Sequence, residues 1–266
     1  MSAARITLPA EAVARYRREG YAVFPRVLDA DLIAEASAHV EWLQQKHPNL
    51  RPEHLHHTLM WDDPFWLRLI SDDRLLDVVE AFLGPDIALF ASHYICKPPG
   101  EGLPVLWHQD GSYWPLAPMD VITVWLAIDD VDAENGCMRV IPGSHQTREV
   151  WQHHRSDERP NVLSSELDAA AVDEARAIDV IVPAGGVSVH DPFLIHGSNA
   201  NTSTRRRCGL TIRYIPTTTR ITREWTTFLF RGEDRHGRND YSRFPPYREG
   251  AHFPFRDLPT YRGGRA

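Results

Sequence analysis

The order of apolar and polar positions divides this chain into a helical first third and a strand-rich remainder. Beginning at Asp29 as an N-cap, the segment DADLIAEASAHVEWLQQKHP spaces its apolar residues three or four apart from Leu32 to Leu43, which predicts an amphipathic helix. A second helix is predicted over DDRLLDVVEAFLGP, where Asp72 or Asp73 begins the helix and the Gly-Pro pair ends it.

From residue 87 onward, short runs with strand character are separated by the turn sequences ENG, PGS, AGG and NAN. Strands at this spacing predict a mainly β fold, a sandwich or a barrel, with the helices packed outside it. The predicted strands are IALFASHYICK, DVITVWLAIDDV, CMRVIP, AIDVIVP, GVSVHD and CGLTIRYIP.

A polar, charged stretch with little strand character lies between residues 147 and 177 and is too long for a simple hairpin loop. It is read either as a lid or as a solvated insertion with one short helix. No linker or repeat divides the sequence, so we predict a single domain over residues 1–266. Its parts are a helical region of about 1–85, a β core of about 86–216 and a C-terminal extension of about 217–266.

Composition favours small-molecule chemistry. The chain has 266 residues, 42% of them apolar, a formal net charge of −7 and a pI near 6.0, a balance opposite to that of general nucleic-acid or anionic-membrane binders. No apolar run approaches the roughly 20 residues needed to cross a bilayer, and MSAARITLPAEAV has no signal-peptide core, which predicts a cytoplasmic protein. Cys96, Cys137 and Cys208 lack C-x-x-C spacing and are predicted to be buried and reduced. The sequence indicates no oligomeric state.

Two metal-binding side chains, His108 and Asp110, stand two residues apart in WHQDGSYWPL. On a strand, residues i and i+2 face the same side, so both can point at one ion while Gln109 faces away. Given the composition, about one H-x-D pair is expected by chance, so the pair needs a third ligand elsewhere before it carries weight.

The candidate third ligand is His196, which follows the apolar run FLI and opens the turn GSNAN; His190 is a nearby competitor that we expect to be structural. Two histidines and one carboxylate form the facial triad of non-haem Fe(II) oxygenases, which leaves coordination positions open. A 2-oxoacid bound there needs a cation for its far carboxylate, and an arginine matches a carboxylate bidentately. Residues 205–207 are all arginine, and for two of them a solvated basic turn is the expected role.

These motifs resemble the phytanoyl-CoA dioxygenase family of Fe(II)/2-oxoglutarate-dependent oxygenases. The likeness is carried by HQD at 108–110, the YWP that follows, ENGCMRVIPGSH at 134–145 and HGSNANTSTRRR at 196–207. It extends from GYAVFPRVLD at 20–29 to IRYIP at 212–216. HGS-x-x-N-x-S with an arginine eleven positions after the histidine is the specific part, whereas H-x-D is not.

The resemblance implies a double-stranded β-helix, or cupin-type jelly roll, with Fe(II) on His108, Asp110 and His196 and with 2-oxoglutarate and O2 as cosubstrates. It selects Arg207 as the anchor of the 2-oxoglutarate carboxylate. A lysine that family members carry before the strands is replaced here by His56 or His57. Further contacts to 2-oxoglutarate are implied for the positions matching His93, Gln109, Trp125 and Ser198.

The implied reaction is hydroxylation of an unactivated C–H bond of a small organic substrate, with release of succinate and CO2. Related halogenases are expected to have glycine or alanine in place of Asp110, so the carboxylate points to hydroxylation or desaturation. Two other classes stay open: a metal-dependent hydrolase, which has no evident use for Arg207, and a non-catalytic jelly roll that binds a ligand, which has no need of the triad.

The identity of the prime substrate is not encoded in any pattern we recognise, but one residue bears on its class. Along RCGLTIRYIP, Arg213 shares a strand face with Arg207, so it is predicted to be a second inward cation. A buried charge needs a partner. That partner is a protein carboxylate, the cosubstrate, or a small anionic substrate.

Overall fold

The computed structural model describes residues 5–156 and 160–261. The predicted domain ends, residues 1–4 and 262–266, and residues 157–159 of the polar stretch therefore lie outside the described residues. Side chains cap the two predicted helices: Asp29 accepts a hydrogen bond from the Leu32 N–H, and Asp72 from the Arg74 N–H. The helices are α1 (Ala10–Glu19), α2 (Ala30–Lys46), α3 (Pro64–Ile70) and α4 (Asp73–Leu83).

Fifteen strands are assigned among the described residues, and most of them form two antiparallel sheets. They are β1 (Tyr21–Phe24), β2 (Leu55–His56), β3 (Ile87–Lys97), β4 (Val105–His108), β5 (Leu116–Ala117), β6 (Ile122–Ala127), β7 (Met138–Val140), β8 (His153–Arg155), β9 (Ser165–Leu167), β10 (Ile178–Val180), β11 (Val187–His190), β12 (His196–Ser198), β13 (Arg207–Pro216), β14 (Arg220–Ile221) and β15 (Leu229–Arg231).

The larger sheet has the order β1-β11-β6-β13-β3-β15, with β2 paired to the same β3 strand, and the smaller sheet has the order β10-β7-β12-β4. Strands distant in sequence are therefore neighbours, as in a jelly roll. Each predicted strand overlaps one of these elements. The strands that the sequence pattern did not predict are two to four residues long.

The larger sheet has one apolar face and one functional face. On β13, Cys208, Leu210, Ile212 and Tyr214 belong to the main apolar core, to which α2, α3 and α4 also contribute. The alternate residues of the strand face the other way, towards the smaller sheet. The helices thus cover the outside of the sheet, as predicted, and leave its inner face free for a site.

The segment after residue 216 is built into the sheet. Strand β15 pairs with β3, and the tail adds Phe228, Phe230, Phe253 and Phe255 to the main core. Trp225 reaches the inner side and donates its indole N–H to the Phe90 carbonyl at 2.7 Å.

The polar stretch 147–177 differs from the predicted insertion with one short helix. It contains the hairpin β8–β9 and two single-turn 3-10 helices, Ala169–Ala171 and Glu174–Arg176. Each 3-10 turn closes its own short hydrogen bonds, from the Ala171 N–H to the Asp168 carbonyl and from the Arg176 N–H to the Asp173 carbonyl. A longer amphipathic helix would need an apolar stripe, which this polar stretch lacks. Val162 and Leu163 of this stretch line the main cavity.

The prediction of three reduced cysteines is wrong for two of them. Cys96 and Cys208 face each other across β3 and β13 and form a disulfide, while Cys137 is free and buried. The two cysteines are 112 residues apart in sequence. They meet because of the register between β3 and β13, which the spacing of cysteines along the chain does not predict.

Among the residues described, no helix is both long and apolar enough to span a membrane.

Candidate metal centre and cosubstrate cavity

Two neighbouring strands of the smaller sheet carry the two predicted histidine ligands. His196 at the start of β12 lies directly opposite His108 at the end of β4, and their ring centroids are 4.1 Å apart. His108, Asp110 and His196 are all buried, and each offers one ligand atom within 4.8 Å of the others. Of the described residues, these three form the group with metal-ligand chemistry at the centre of the fold.

Backbone carbonyls fix the tautomer of both histidines. The Nδ1–H of His108 donates to the Leu106 carbonyl at 2.8 Å, and that of His196 donates to the Leu194 carbonyl at 2.9 Å. A carbonyl oxygen only accepts, so the proton is on Nδ1 and the Nε2 lone pair is free for a metal.

Asp110 does not lie on the strand with His108, as the sequence interpretation assumed. Strand β4 ends at His108, and Asp110 begins a 3-10 turn that runs to Tyr113. Gln109 between them still has extended backbone, with φ −117° and ψ 125°, so the side chains on either side of it project to the same side. His108 and Asp110 can therefore still point at one ion, as predicted for residues two apart on a strand, because Gln109 between them is extended.

Two side chains support the Asp110 carboxylate from behind. Its Oδ2 atom accepts a hydrogen bond from the Thr123 hydroxyl at 3.1 Å and lies 3.3 Å from the His190 Nε2 atom. The Oδ1 atom is 3.6 Å from the His108 Nε2 atom. His190 therefore contacts the carboxylate from β11 and lies outside the group of three.

The local electrostatics favour the protonation states that a metal needs. Burial alone would raise the pKa of Asp110, but Arg213 and then His108 and His190 hold that pKa well below its ordinary value. Burial, followed by the charges of His108 and His190, lowers the pKa of His196 well below its usual range. An ionised carboxylate and a neutral imidazole are the ligand forms of these groups.

The group of three opens into a cavity of about 440 Å³ between the two sheets. Tyr113 and Trp114, which follow the HQD motif, form part of its wall, as expected of YWP. Trp125, Ser198, His93 and Arg207 also line it. The cavity therefore collects every predicted cosubstrate contact except Gln109.

Arg207 is a buried cation with unmet hydrogen bonds. Its exposed fraction is 2%, and its Nε and Nη1 atoms have no partner among the described residues. Burial lowers the pKa of this guanidinium to about 10. Because an unpaired buried charge is costly, these vacant donors fit the carboxylate of a bound 2-oxoacid.

Lys97 is a residue of this site that sequence reasoning missed. It is fully buried beside Arg207 in the β3–β13 register, and its Nζ atom donates to the Ser198 hydroxyl at 2.7 Å and to the Asn199 carbonyl. Burial and then the Arg207 charge hold the pKa of Lys97 well below its ordinary value. The sequence could have predicted the position of Lys97, because the alternation of side chains along a strand places Lys97 on the same face as His93.

Trp125 holds the Arg207 guanidinium in place. The Arg207 Cζ atom lies 4.8 Å from the centroid of the Trp125 ring, a stacking distance for a cation on an aromatic face. Gly209, two residues along β13, makes room for this tryptophan, because a Cβ atom there would overlap the six-membered part of the indole.

The two remaining predicted cosubstrate contacts differ in position. His93 lines the cavity, donates its Nε2–H to the Glu53 carbonyl at 2.8 Å and stacks on His56. Gln109 is fully buried outside the cavity. Its amide donates to the carbonyls of Glu149 and Phe193, and its Oε1 atom accepts from the Trp151 N–H. Gln109 thus joins the HQD segment to the polar stretch and faces away from the metal ligands.

The expected solvated turn describes Arg205 but not Arg206. Arg205 makes an exposed ion pair with Asp132. Arg206 makes two hydrogen bonds to the Asp129 carboxylate, at 2.9 and 2.8 Å, and one to the Ser37 hydroxyl on α2. Arg206 therefore ties the helical layer to the start of β13, because a guanidinium fork matches a carboxylate in two places.

A jelly roll with two buried histidines, one carboxylate and an inward arginine defines the class of 2-oxoglutarate-dependent oxygenases. Comparison of the sequence with family models matches residues 4–209 to phytanoyl-CoA dioxygenase (PhyH). The chain belongs to the phytanoyl-CoA dioxygenase family. The predicted family, fold, enzyme class and dependence on Fe(II), 2-oxoglutarate and O2 are confirmed at this level.

Similar curated proteins act on small molecules. A probable alpha-ketoglutarate-dependent hypophosphite dioxygenase of Stutzerimonas stutzeri is 34% identical over 148 residues, 55% of this chain and 51% of that protein. The chain thus matches only about half the length of this relative. L-proline trans-4-hydroxylase of Streptomyces griseoviridis is 27% identical over 229 residues, 77% of this chain and 85% of the relative.

Solved structures agree on the architecture. The apo non-heme monooxygenase ThoJ superposes with a TM-score of 0.75 at 26% identity and covers 87% of both chains. The alpha-ketoglutarate-dependent carbocyclase SnoK from nogalamycin biosynthesis has a TM-score of 0.67 at 27% identity, covering 81% of this chain and 87% of its own. Similar folds therefore carry different oxidative outcomes.

Proposed function

We propose that this protein hydroxylates a C–H bond of a small organic substrate, with His108, Asp110 and His196 as ligands of Fe(II) and Arg207 as the anchor of 2-oxoglutarate. One observation carries the proposal. Three preorganised ligand atoms and a buried guanidinium with vacant donors line the same cavity. A metal hydrolase has no use for the second feature, and an inert scaffold has no use for either.

When bound, Fe(II) and 2-oxoglutarate would react with O2 to supply an oxidant, with one oxygen atom going into succinate as the oxoacid loses CO2. The protein's contribution is orientation. The carbonyls of residues 106 and 194 hold the two imidazoles in the ligating tautomer. Thr123 and His190 occupy Asp110 Oδ2, which leaves Oδ1 for the metal.

The far carboxylate of 2-oxoglutarate belongs on Arg207, with Ser198 beside it and the Trp125 ring behind the guanidinium. Lys97 acts through Ser198, since its ammonium already donates to that hydroxyl, and we treat it as a positioning residue. His93 is retained as a wall residue near the cosubstrate. Gln109 is assigned to support of the HQD segment, because its amide is fully used by backbone groups.

The test is succinate formation from 2-oxoglutarate by the Fe(II)-loaded protein across a panel of small molecules, with product analysis for gain of one oxygen atom. The expected result is a substrate that raises succinate above the substrate-free background in equal amount to oxygenated product. Metal-dependent hydrolysis products without succinate would assign the protein to the hydrolase class, and turnover without metal would contradict the proposed metal centre.

Two further parts of the function remain predictions. The partner is taken to be a small molecule, with no role for nucleic acid or membrane. The cytoplasmic location stays a prediction from the sequence, and the Cys96–Cys208 disulfide weighs against it, because such bonds are rare in reducing compartments.

A further inference from the structure

The substrate side of the cavity has an unbalanced charge. Besides Arg207, it is lined by Arg213 and Arg223, while Asp110 is the one carboxylate among its described lining residues. This observation concerns the prime substrate, and its interpretation rests on the function proposed above.

Arg213 has too few partners for a cation in its position. Its side chain is 14% exposed, its Nη1 atom donates to the Thr211 hydroxyl at 2.7 Å, and its Nε atom has no partner among the described residues. The nearest carboxylate oxygen, Asp110 Oδ1, is 3.9 Å from Nη2, which is beyond hydrogen-bond distance. The guanidinium thus faces the cavity with donors unused.

Asp110 cannot be the full counter-ion of Arg213 once a metal is bound. Its Oδ2 atom is occupied by Thr123 and His190, and Oδ1 is the atom left for the metal. The two positive charges of Fe(II) and the two negative charges of 2-oxoglutarate would cancel, and Asp110 offsets one of the two cavity arginines, Arg207 and Arg213. One positive charge therefore remains unmatched inside the cavity, before Lys97 or the exposed Arg223 is counted.

Aromatic rings surround this charge. The Arg213 Cζ atom is 5.6 Å from the Trp114 ring centroid, and the Arg223 Cζ atom is 4.4 Å from that of Trp225. Phe90 packs between the two tryptophans, with centroids 5.7 and 5.5 Å away. An aromatic, apolar wall beside a cation suits a ligand with an apolar body and a negative end.

Three histidines at the same wall offer a competing use. His54, His56 and His93 bring one ring nitrogen each within 4.8 Å of the others, and a transition metal accepts such a set. Arg213 is near enough to lower the pKa values of His56 and His93, after the larger effects of burial and a neighbouring histidine. The same charge repels a dication there and attracts an anion.

We infer that the prime substrate is a compact molecule with an oxyanion, a carboxylate or a phosphorus oxyanion, bound by Arg213, and with an apolar body packed against Trp114, Phe90 and Trp225. Arg223 at the exposed rim attracts the anion on entry. The oxyanion fixes which end of the molecule faces Asp110, so Arg213 selects both the substrate and the carbon presented to the metal.

Binding to the Fe(II)–2-oxoglutarate protein without O2 tests this inference through tryptophan fluorescence and calorimetry. The probes are benzoate, phenylphosphonate and the neutral benzamide, which share one apolar body. We expect at least one oxyanion to bind tenfold or more tightly than benzamide, and the tighter of the two identifies the anion type. Arg213→Gln should remove this preference and leave 2-oxoglutarate and benzamide affinities within twofold.

Two variants complete the design. Arg220→Gln removes an exposed arginine outside the cavity and should keep the full preference, and Arg213→Lys, which keeps the charge but loses the fork, should keep part of it. Equal binding of all three probes by the wild-type protein overturns the inference. So does loss of 2-oxoglutarate binding in Arg213→Gln, which would assign Arg213 to the cosubstrate. If wild-type protein fails to bind 2-oxoglutarate with Fe(II), the proposed function itself fails.

Discussion

At the scale of single residues, the assignment of metal ligands distinguishes between His196 and His190, which both lie near the Asp110 carboxylate. His196→Ala should fold but retain little iron and form no coupled product, because it removes an Nε2 lone pair from the group of three. His190→Gln should retain most of the iron, since it removes only a support of Asp110 Oδ2. Iron content and succinate formation measure both. Iron loss confined to the His190 variant would mean that His190 is the iron ligand and that His196 is not.

Arg207 is expected to dominate the affinity for 2-oxoglutarate. Truncating one side of a buried charge pair costs about 2–5 kcal/mol, so Arg207→Ala should raise the KM for 2-oxoglutarate by roughly 30-fold or more. Arg205→Ala, in the same turn, should change this KM less than about twofold because its ion pair is exposed. Steady-state kinetics with varied 2-oxoglutarate give both values, and similar effects at both positions would indicate a general basic patch.

The sequence was sufficient for residues whose spacing carries chemistry and insufficient for those placed by packing. His108, Asp110 and His196 were proposed from ligand chemistry and position in the sequence, and the family likeness selected Arg207 from three consecutive arginines. All four lie around one cavity. Lys97 escaped notice because it ends an apolar strand, and its ammonium donates to Ser198, which lies on a strand of the other sheet. Gln109 was assigned to the cosubstrate by family likeness, whereas its contacts depend on the polar stretch, whose course no periodic pattern describes.

At the scale of elements, long periodic segments were predictable and short ones were not. Helix α2 begins after its predicted N-cap, and β3 has the predicted bounds. Strands such as β1, β12 and β15 have three or four residues, too few for a period to be recognised. These short strands form because they pair with strands that are distant in the sequence, so their positions depend on the tertiary fold.

The pairing of β13 with β6 gives a prediction about Gly209. Gly209→Ala should displace the Trp125 indole, because the added Cβ atom overlaps it, and Arg207 stacks on that ring. We expect a loss of about 1–3 kcal/mol in the free energy of unfolding together with a raised KM for 2-oxoglutarate. Trp125→Phe in the same chain should recover part of the stability. A double-mutant cycle without coupling would show that the two residues act independently.

Arg206 gives a contrasting prediction, because it joins elements and does not line the cavity. Arg206→Ala removes two hydrogen bonds to Asp129 and one to α2. It should lower the free energy of unfolding by about 1–3 kcal/mol with little change in the KM for 2-oxoglutarate. Chemical denaturation and kinetics on the same preparation separate these effects, and a KM change as large as that of Arg207→Ala would place Arg206 in the site.

At the scale of the whole molecule, one core links the helices, the larger sheet and the C-terminal tail, so ligand binding in the cavity should stabilise the protein as a unit. A ligand at 100 times its Kd adds about 2.7 kcal/mol to the free energy of unfolding. For a chain of this size each 1 kcal/mol corresponds to about 2–4 °C in Tm. Saturating 2-oxoglutarate should therefore raise the Tm of the metal-loaded protein by roughly 5–10 °C.

Changes in Tm should distinguish the metal ligands from the 2-oxoglutarate anchor when the His196→Ala and Arg207→Ala variants are compared. The metal should raise the Tm of wild-type protein, and 2-oxoglutarate should raise it further only when metal is present, because the oxoacid end binds the metal and the far carboxylate binds Arg207. Arg207→Ala should keep the metal increment and lose most of the 2-oxoglutarate increment, while His196→Ala should lose both. Thermal melts with an inert divalent ion such as Zn²⁺ avoid turnover. A 2-oxoglutarate increment that survives in His196→Ala at full size would mean that the cosubstrate binds without the metal, and the joint site would then be wrong.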